Sequence, residues 1–468
     1  MLVQPAVDLG RPKARRTSVG AGCLGNERQN VKSSLSKAVT FLGVFFALGF
    51  VLWSPLAHAA DEEDSAITIL IAERVAGSKV QEKIPVAGVK VRVEGAAGSA
   101  VGVTDAKGIA VLGVPPVGKY EVSFDVSTLP KGVAVGADSK TSLSIDFSSG
   151  VSVGSGKSVS FFVGNDARVA EGRWEQLPQV LVGGIRISLI LAICSIGLAL
   201  IFGTTGLTNF AHSEIITVGA MVAFWFNQNG PQWPLLLAAP FGIVGAALMG
   251  GAFELRLWRP LRRRGTSLTS MMIVSIGMAI GIRYVLLFLL GGRNRRYAQY
   301  VGDPEIDFGP FGITPRDIAI MVIALIVVVG FSLFLLYARF GKAIRAVSDN
   351  PDLASATGIN TDRVILLVWI LGGALAGLGG VMNGASTGVQ WDMGNVILLL
   401  LFAAFTIGGL GNPFGALVGS FVIGMFTQLW TWVFPSVVEL KALGALIALV
   451  VVLLVRPEGI LGKKERVG

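Results

Sequence analysis

From residue 171 to the end, the chain consists of apolar runs of bilayer length separated by short polar segments. A hydrocarbon core of about 30 Å takes roughly 20 apolar residues to cross as a helix, and lipid offers the backbone no hydrogen-bond partner outside its own segment. Candidate spans fall at 180–202, 213–229, 235–256, 267–290, 315–337, 364–384, 395–410, 413–434 and 441–455. The expectation is a multi-pass α-helical membrane protein of about nine spans. The second and seventh spans are short and interrupted by glycine, as tilted or re-entrant helices are. Composition agrees: 15% of the 468 residues are charged, against about 25% in soluble domains. That excludes a soluble enzyme, a disordered tail and a coiled coil. The two cysteines, Cys23 and Cys194, make no disulfide scaffold.

The first 170 residues differ. A basic stretch is followed by an apolar run at 38–56, then by Ala57-His58-Ala59-Ala60 and the acidic Asp61-Glu62-Glu63-Asp64. This is the order of a signal peptide, so 1–59 is expected to be a signal peptide or N-terminal signal anchor that places residue 61 outside. Strand-like alternation follows at 86–93, 109–112, 120–126, 143–147 and 159–163, with Gly- and Pro-bearing turns between. Residues 60–170 are therefore expected to form an all-β extracytoplasmic sandwich, joined by a 171–178 linker. Pro85-Val86-Ala87-Gly88-Val89, Thr104-Asp105 with Gly108, and Pro116 with Gly118-Lys119-Tyr120 and Val122 resemble the carboxypeptidase-regulatory-like and collagen-adhesin B-type domains. The resemblance implies a transthyretin-like sandwich, a fold that fixes no function.

With residue 61 outside, nine crossings leave the C-terminus inside. Thirteen Lys and Arg then fall in inside loops against six in outside ones, the bias that orients membrane proteins. The net charge of +9 thus reports orientation rather than a polyanionic partner. No aromatic-interleaved basic surface points to nucleic acid. Gly154-Ser155-Gly156-Lys157-Ser158 imitates a phosphate loop, but where that motif needs a glycine, with four residues between it and Gly-Lys-Ser, the chain has Val151. It reads as a polar turn, and the chain shows no ATP site of its own.

Four features of the apolar part carry possible chemistry. Asn209-Phe210-Ala211-His212-Ser213-Glu214 joins the first two spans. Polar groups at such a place form a gate or proton relay, or else cap a helix; too few ligands are present for a metal. The inside loop 339–363 places Asp349-Asn350-Pro351 at the start of a short helix that Gly358 ends. It docks a soluble partner or is a solvated connector. Gly277/Gly281, Gly373/Gly377, Gly380/Gly384 and Gly415/Gly419 are spaced to let helices approach closely. Gly408-Gly409-Leu410-Gly411-Asn412 breaks a hydrophobic stretch, as discontinuous helices at substrate sites do. Glu254 and Arg283 either face a cavity or snorkel from a span end.

The block 203–220 resembles the first signature of the branched-chain amino acid ABC transporter permeases. Glu254 through Arg259-Pro260-Leu261-Arg262, then 341–360 running into 374–380, and finally 408–419 agree in order and spacing. The resemblance covers 179–462 and is to the first of two permease types. It leaves 463–468 as a cytoplasmic tail. Asn209, Phe210, Ala211, His212 and Glu214 fall on the signature, whereas Ser213 replaces its usual glycine. Together with Gly408, Gly409, Gly411 and Asn412 they are the translocation-path candidates. Arg345, Asp349, Asn350, Leu353, Ala354, Gly358, Ile359 and Asn360 match the segment that docks the ATPase. The resemblance implies a non-enzymatic permease of a prokaryotic plasma membrane, without cofactor or metal. Its partners are a second permease subunit, cytoplasmic ABC ATPases, an extracytoplasmic substrate-binding protein and membrane lipid. Branched-chain amino acids are the implied substrates, with urea or short amides open. A proton-coupled secondary transporter using His212 or Glu214 is the alternative. The β-domain is not part of the family pattern.

Overall fold

The computed structural model describes residues 65–462 with breaks, chiefly at 75–82, 136–140, 147–156, 164–173, 301–305 and 435–440. The expected signal segment, residues 154–156 of the glycine-rich turn, residues 171–173 of the linker and the 463–468 tail lie outside the described residues.

Two sheets enclose one apolar core in the N-terminal part. In the first, β1 (Ser65–Arg74) pairs antiparallel with β2 (Lys83–Pro85) and β5 (Ile109–Val114), and parallel with β8 (Lys157–Val163). The second runs β4 (Gly98–Val103), β3 (Lys90–Gly95), β6 (Lys119–Phe124) and β7 (Ser142–Asp146), all antiparallel. Alternation places Ile67, Ile69 and Ile71 of β1 against Val91, Val93, Val122 and Phe161 inside. Thr104 is buried but satisfied: its Oγ1 accepts from Val89 N at 3.0 Å and donates to Val86 O at 2.8 Å. Sequence reading missed β1 and β4 and began the 86–93 strand too early. β1 hides because its residues between Ala66 and Ala72 form a nearly continuous apolar run, whereas β4 is glycine-rich. Lys157 and Ser158 open a strand rather than the helix a phosphate loop requires.

Among the described residues, six helices are long and apolar enough to cross a membrane. They are α1 (Leu177–Thr205), the continuous helix Leu235–Arg263, α5 (Leu268–Leu290), α6 (Pro315–Tyr337), α9 (Thr361–Thr387) and α11 (Pro413–Val433). Leu235–Arg263 comprises α3 (Leu235–Phe253), a π-helical turn at Glu254–Trp258 and α4 (Arg259–Arg263). The shorter helices are α2 (His212–Phe224), α7 (Arg339–Asp349), α8 (Pro351–Ala356), α10 (Met393–Gly408) and α12 (Lys441–Val455). A two-stranded ribbon, β9 (Ile306–Asp307) with β10 (Gly312–Ile313), precedes α6.

The third candidate span does not stop at Glu254. The chain continues helically to Arg263, and Glu254 is fully buried in an ion pair with Arg262 eight residues on. It neither faces an empty cavity nor snorkels. Beside it, Arg259 and Arg263 both reach Asp362 in the first turn of α9, at 2.5 and 2.8 Å.

α1 and α9 form the buried centre, and small residues bring the neighbouring backbones against α9. A Cβ at Gly380 would fall on Ile216 O of α2; at Gly373 and Gly377 it would meet Ala246 of α3, and at Gly384, Val389. On α11, Gly415 and Gly419 lie against Gly408 O and Ala404 O of α10 in the same way. Gly277 and Gly281 differ: among the described residues nothing lies against them, because α5 is at the margin with most of its surface exposed. Gly380→Leu is expected to destabilise the detergent-solubilised protein by about 1–3 kcal/mol or more through overpacking. Gly277→Leu, by contrast, should leave thermal stability unchanged in the same melting assay.

Candidate functional site

The α1–α2 connection reverses at Gly206, whose φ of 68° suits glycine, and then packs Asn209 through Glu214 into the bundle. Asn209, His212, Ser213 and Glu214 are all fully buried. Asn209 Oδ1 accepts from Ala211 N at 3.1 Å, and Phe210 N donates to Ser275 Oγ of α5 at 3.2 Å. His212 Nε2 lies 3.1 Å from Cys194 O of α1. A carbonyl can only accept, so this nitrogen carries the proton. Ser213 Oγ lies 3.0 Å from Phe210 O and 3.1 Å from Glu214 Oε1. The residue before α2 is Ala211, which gives no side-chain cap. Ser213 therefore turns back toward the connection instead of capping the helix.

Glu214 is held by Arg283 of α5, which donates through Nε and Nη2 to the same oxygen, Oε1, at 3.2 and 3.0 Å. Arg283 thus forms a buried ion pair and is no snorkelling residue. A second pair, Arg186 of α1 with Asp317 of α6 at 2.5 Å, ties the other marginal helix to the centre. Arg186 and Asp317 are 131 residues apart, so no local pattern announces their pairing. Sequence reading also passed over Asp392, the residue before α10, whose one signal is an acid between two apolar segments.

The other path candidates lie elsewhere. Gly408, Gly409, Gly411 and Asn412 form the tight turn between α10 and α11, with φ of 107° at Gly409 and 77° at Gly411. Asn412 Oδ1 caps α11 at Phe414 N, 3.0 Å away, and Asn412 Nδ2 donates to Leu461 O at 3.1 Å. The segment after α12 straps this turn, with Ile460 N donating to Ile407 O at 2.7 Å and Leu461 N to Gly408 O at 3.0 Å. The turn rests near Gly203 at the end of α1, away from His212, and it shares a cleft with α7. That cleft, of about 850 Å³, is lined by Arg345, Ser348, Asp349, Gly411, Asn412 and Leu461 among others.

Between α6 and α9, the loop forms α7 and α8. Asn350 Oδ1 accepts from Leu353 N at 2.9 Å and starts α8; Gly358, at φ 89°, ends it, and Asn360 Oδ1 accepts from Arg363 N at 3.0 Å to start α9. Ala354 is buried, and Ile359 N donates to its carbonyl at 3.1 Å. Arg345, Asp349 and Leu353 face out, Leu353 with 63% of its surface exposed.

Bilayer-length helices that bury ionisable side chains in pairs define a multi-pass membrane protein with a polar interior, the arrangement of solute permeases. Residues 180–455 match the branched-chain amino acid transport system permease component family. The chain belongs to that family. It is 31% identical over 301 residues to the high-affinity branched-chain amino acid transport system permease protein LivH of Escherichia coli (strain K12), covering 61% of this chain and 96% of that one. The corresponding BraD protein of Pseudomonas aeruginosa is 29% identical, with the same coverage. A probable LivH of Methanocaldococcus jannaschii is 30% identical over 60% of this chain and 92% of its own. The two β-sheets precede the family match.

Removing one member of a buried ion pair costs about 3–5 kcal/mol, largely because the other charge is left unpaired. Arg283→Gln should therefore lower the melting temperature of the purified protein sharply. Combining it with Glu214→Gln should recover much of the loss, and a thermal-melting double-mutant cycle measures the coupling.

Proposed function

We propose that this chain is the transmembrane permease subunit of an ATP-binding cassette importer for branched-chain amino acids. It forms half of the translocation path beside a second permease subunit and hydrolyses nothing itself. An extracytoplasmic binding protein delivers substrate on the side of the β-domain, and the C-terminus is cytoplasmic. The observation that carries this reading is the α7–α8 pair. Two long helices are joined by two short ones, capped at Asn350 and ended at Gly358, with Leu353 presented outward. An apolar side chain held outward on a rigid pair offers a docking point for a soluble ATPase, and force applied there reaches α6 and α9 directly. The relatives' names supply the substrate class.

Leu353→Asp is expected to lower ATP-driven leucine uptake about tenfold or more, equivalent to about 1.4 kcal/mol of docking. The amount of chain in the membrane should stay constant on immunoblots, and the ATPase should no longer co-purify. The burial of Glu214 within the bundle favours a second reading, proton-coupled transport. Leucine uptake by the chain alone in proteoliposomes, driven by a pH gradient, would support that reading instead. Deleting 61–163 should leave uptake intact, because the β-domain lies outside the permease helices; an uptake assay in whole cells checks this.

A further inference from the structure

Around the first turn of α2 and the start of α10, four polar atoms are buried with no hydrogen-bond partner among the described residues: Asn209 Nδ2, His212 Nδ1, Glu214 Oε2 and Asp392 Oδ1. The cluster is deep in the bundle. Cys194, which holds His212, is roughly 26 Å from the start of α1 and roughly 16 Å from its end at 1.5 Å per residue. The two helix starts are pressed together. Gly394 N donates to Thr217 Oγ1 at 3.1 Å, and a Cβ at Gly394 would fall on Ser213 O. This approach brings Asp392 near enough to Glu214 for the two carboxylates to act on each other electrostatically.

Arg283 donates to Glu214 Oε1 through both Nε and Nη2. The N-terminal ends of α2 and α10 add partial positive charge that offsets the acids, yet they leave Glu214 Oε2 and Asp392 Oδ1 without a donor. Each buried acceptor left unmet costs about 1–3 kcal/mol, and more for a charged group. The group that meets both is an ammonium, with three donors and a positive charge. Arg283 and the two helix ends in turn give the field that a carboxylate needs.

We propose that Glu214 and Asp392 receive the α-ammonium of a zwitterionic amino acid, with Arg283 and the N-termini of α2 and α10 orienting its carboxylate. The inference rests on the importer reading and sharpens it, because urea and neutral amides carry no charge for this site to match. Glu214 is fully enclosed, so the site is closed in this arrangement. Substrate enters when α5 or α10 moves from α2.

The test uses the complete transporter, this chain with its permease and ATPase partners, in proteoliposomes with the binding protein present. ATP-driven uptake of leucine and of urea is measured for wild type, Asp392→Asn and Asp392→Glu, alongside ATP hydrolysis and the amount of assembled complex. Asp392→Asn should lose at least tenfold of leucine uptake while the complex assembles and still hydrolyses ATP. Asp392→Glu, which keeps the charge, should retain most of it. Leucine uptake by Asp392→Asn at the wild-type rate would overturn the site alone, leaving the importer reading in place and a proton as the neutralising cation. Equal loss in both variants would also overturn the site, since position rather than charge would then matter. Wild-type transport of urea without leucine would overturn the branched-chain reading and the site together.

Discussion

The close approach of helix backbones along α9 sets the arrangement of the bundle. In lipid, association between helices gains little from the hydrophobic effect and depends on packing and on satisfied polar groups. Gly373, Gly377 and Gly380 let α2 and α3 come within backbone distance of α9, and Gly197 and Gly372 do the same for α1. Once those backbones touch, the starts of α2 and α10 are fixed, and with them the positions of Asn209, His212, Ser213 and Glu214. The marginal helices α5 and α6 have few such contacts. Each is held to the centre by an ion pair, Arg283 with Glu214 and Arg186 with Asp317. The core is thus joined by close packing and the periphery by charge.

Where helices lie was legible in the sequence, because bilayer length and local caps are written in contiguous residues. Asn350 and Gly358 bound α8 for reasons visible within ten residues. What helices touch was less legible. Glu214 and Arg283 are 69 residues apart, and only the fold makes them partners. Glu254 looked like the end of a span because its partner Arg262 lies eight residues on, beyond a π-helical turn that period counting does not register. The Gly408–Asn412 break reads as a discontinuous helix, and only the fold shows that Gly411 and Asn412 line the cleft beside α7. Among glycine pairs, the same spacing describes buried Gly373/Gly377 and open Gly277/Gly281. Spacing reports that a face is smooth, not that anything lies against it.

The same contrast holds in the β-domain. Alternating strands with one wet face announced themselves, as in β6, where exposed and buried residues alternate. β1 did not. It lies between β8 on one edge and β2 and β5 on the other, and its apolar run gives no alternation to read. The strand that organises a sheet can be the one whose pattern is least strand-like.

The π-helical turn at Glu254–Trp258 has one more consequence. It adds a residue to the helical path, so everything after it is rotated by about 100° relative to an uninterrupted α-helix. Before the turn, Ala246 and Gly250 face α9; after it, Arg259 and Arg263 face Asp362 at the start of that same helix. The extra residue works as a phase shifter, giving one helix two differently aimed halves. Loss of a single residue in this stretch would turn the arginine side of the helix away from Asp362 while leaving hydrophobicity, length and composition almost untouched. The interval between Glu254 and Arg259 is therefore a coordinate in its own right, one that substitution scans pass over and that insertions or deletions would read directly.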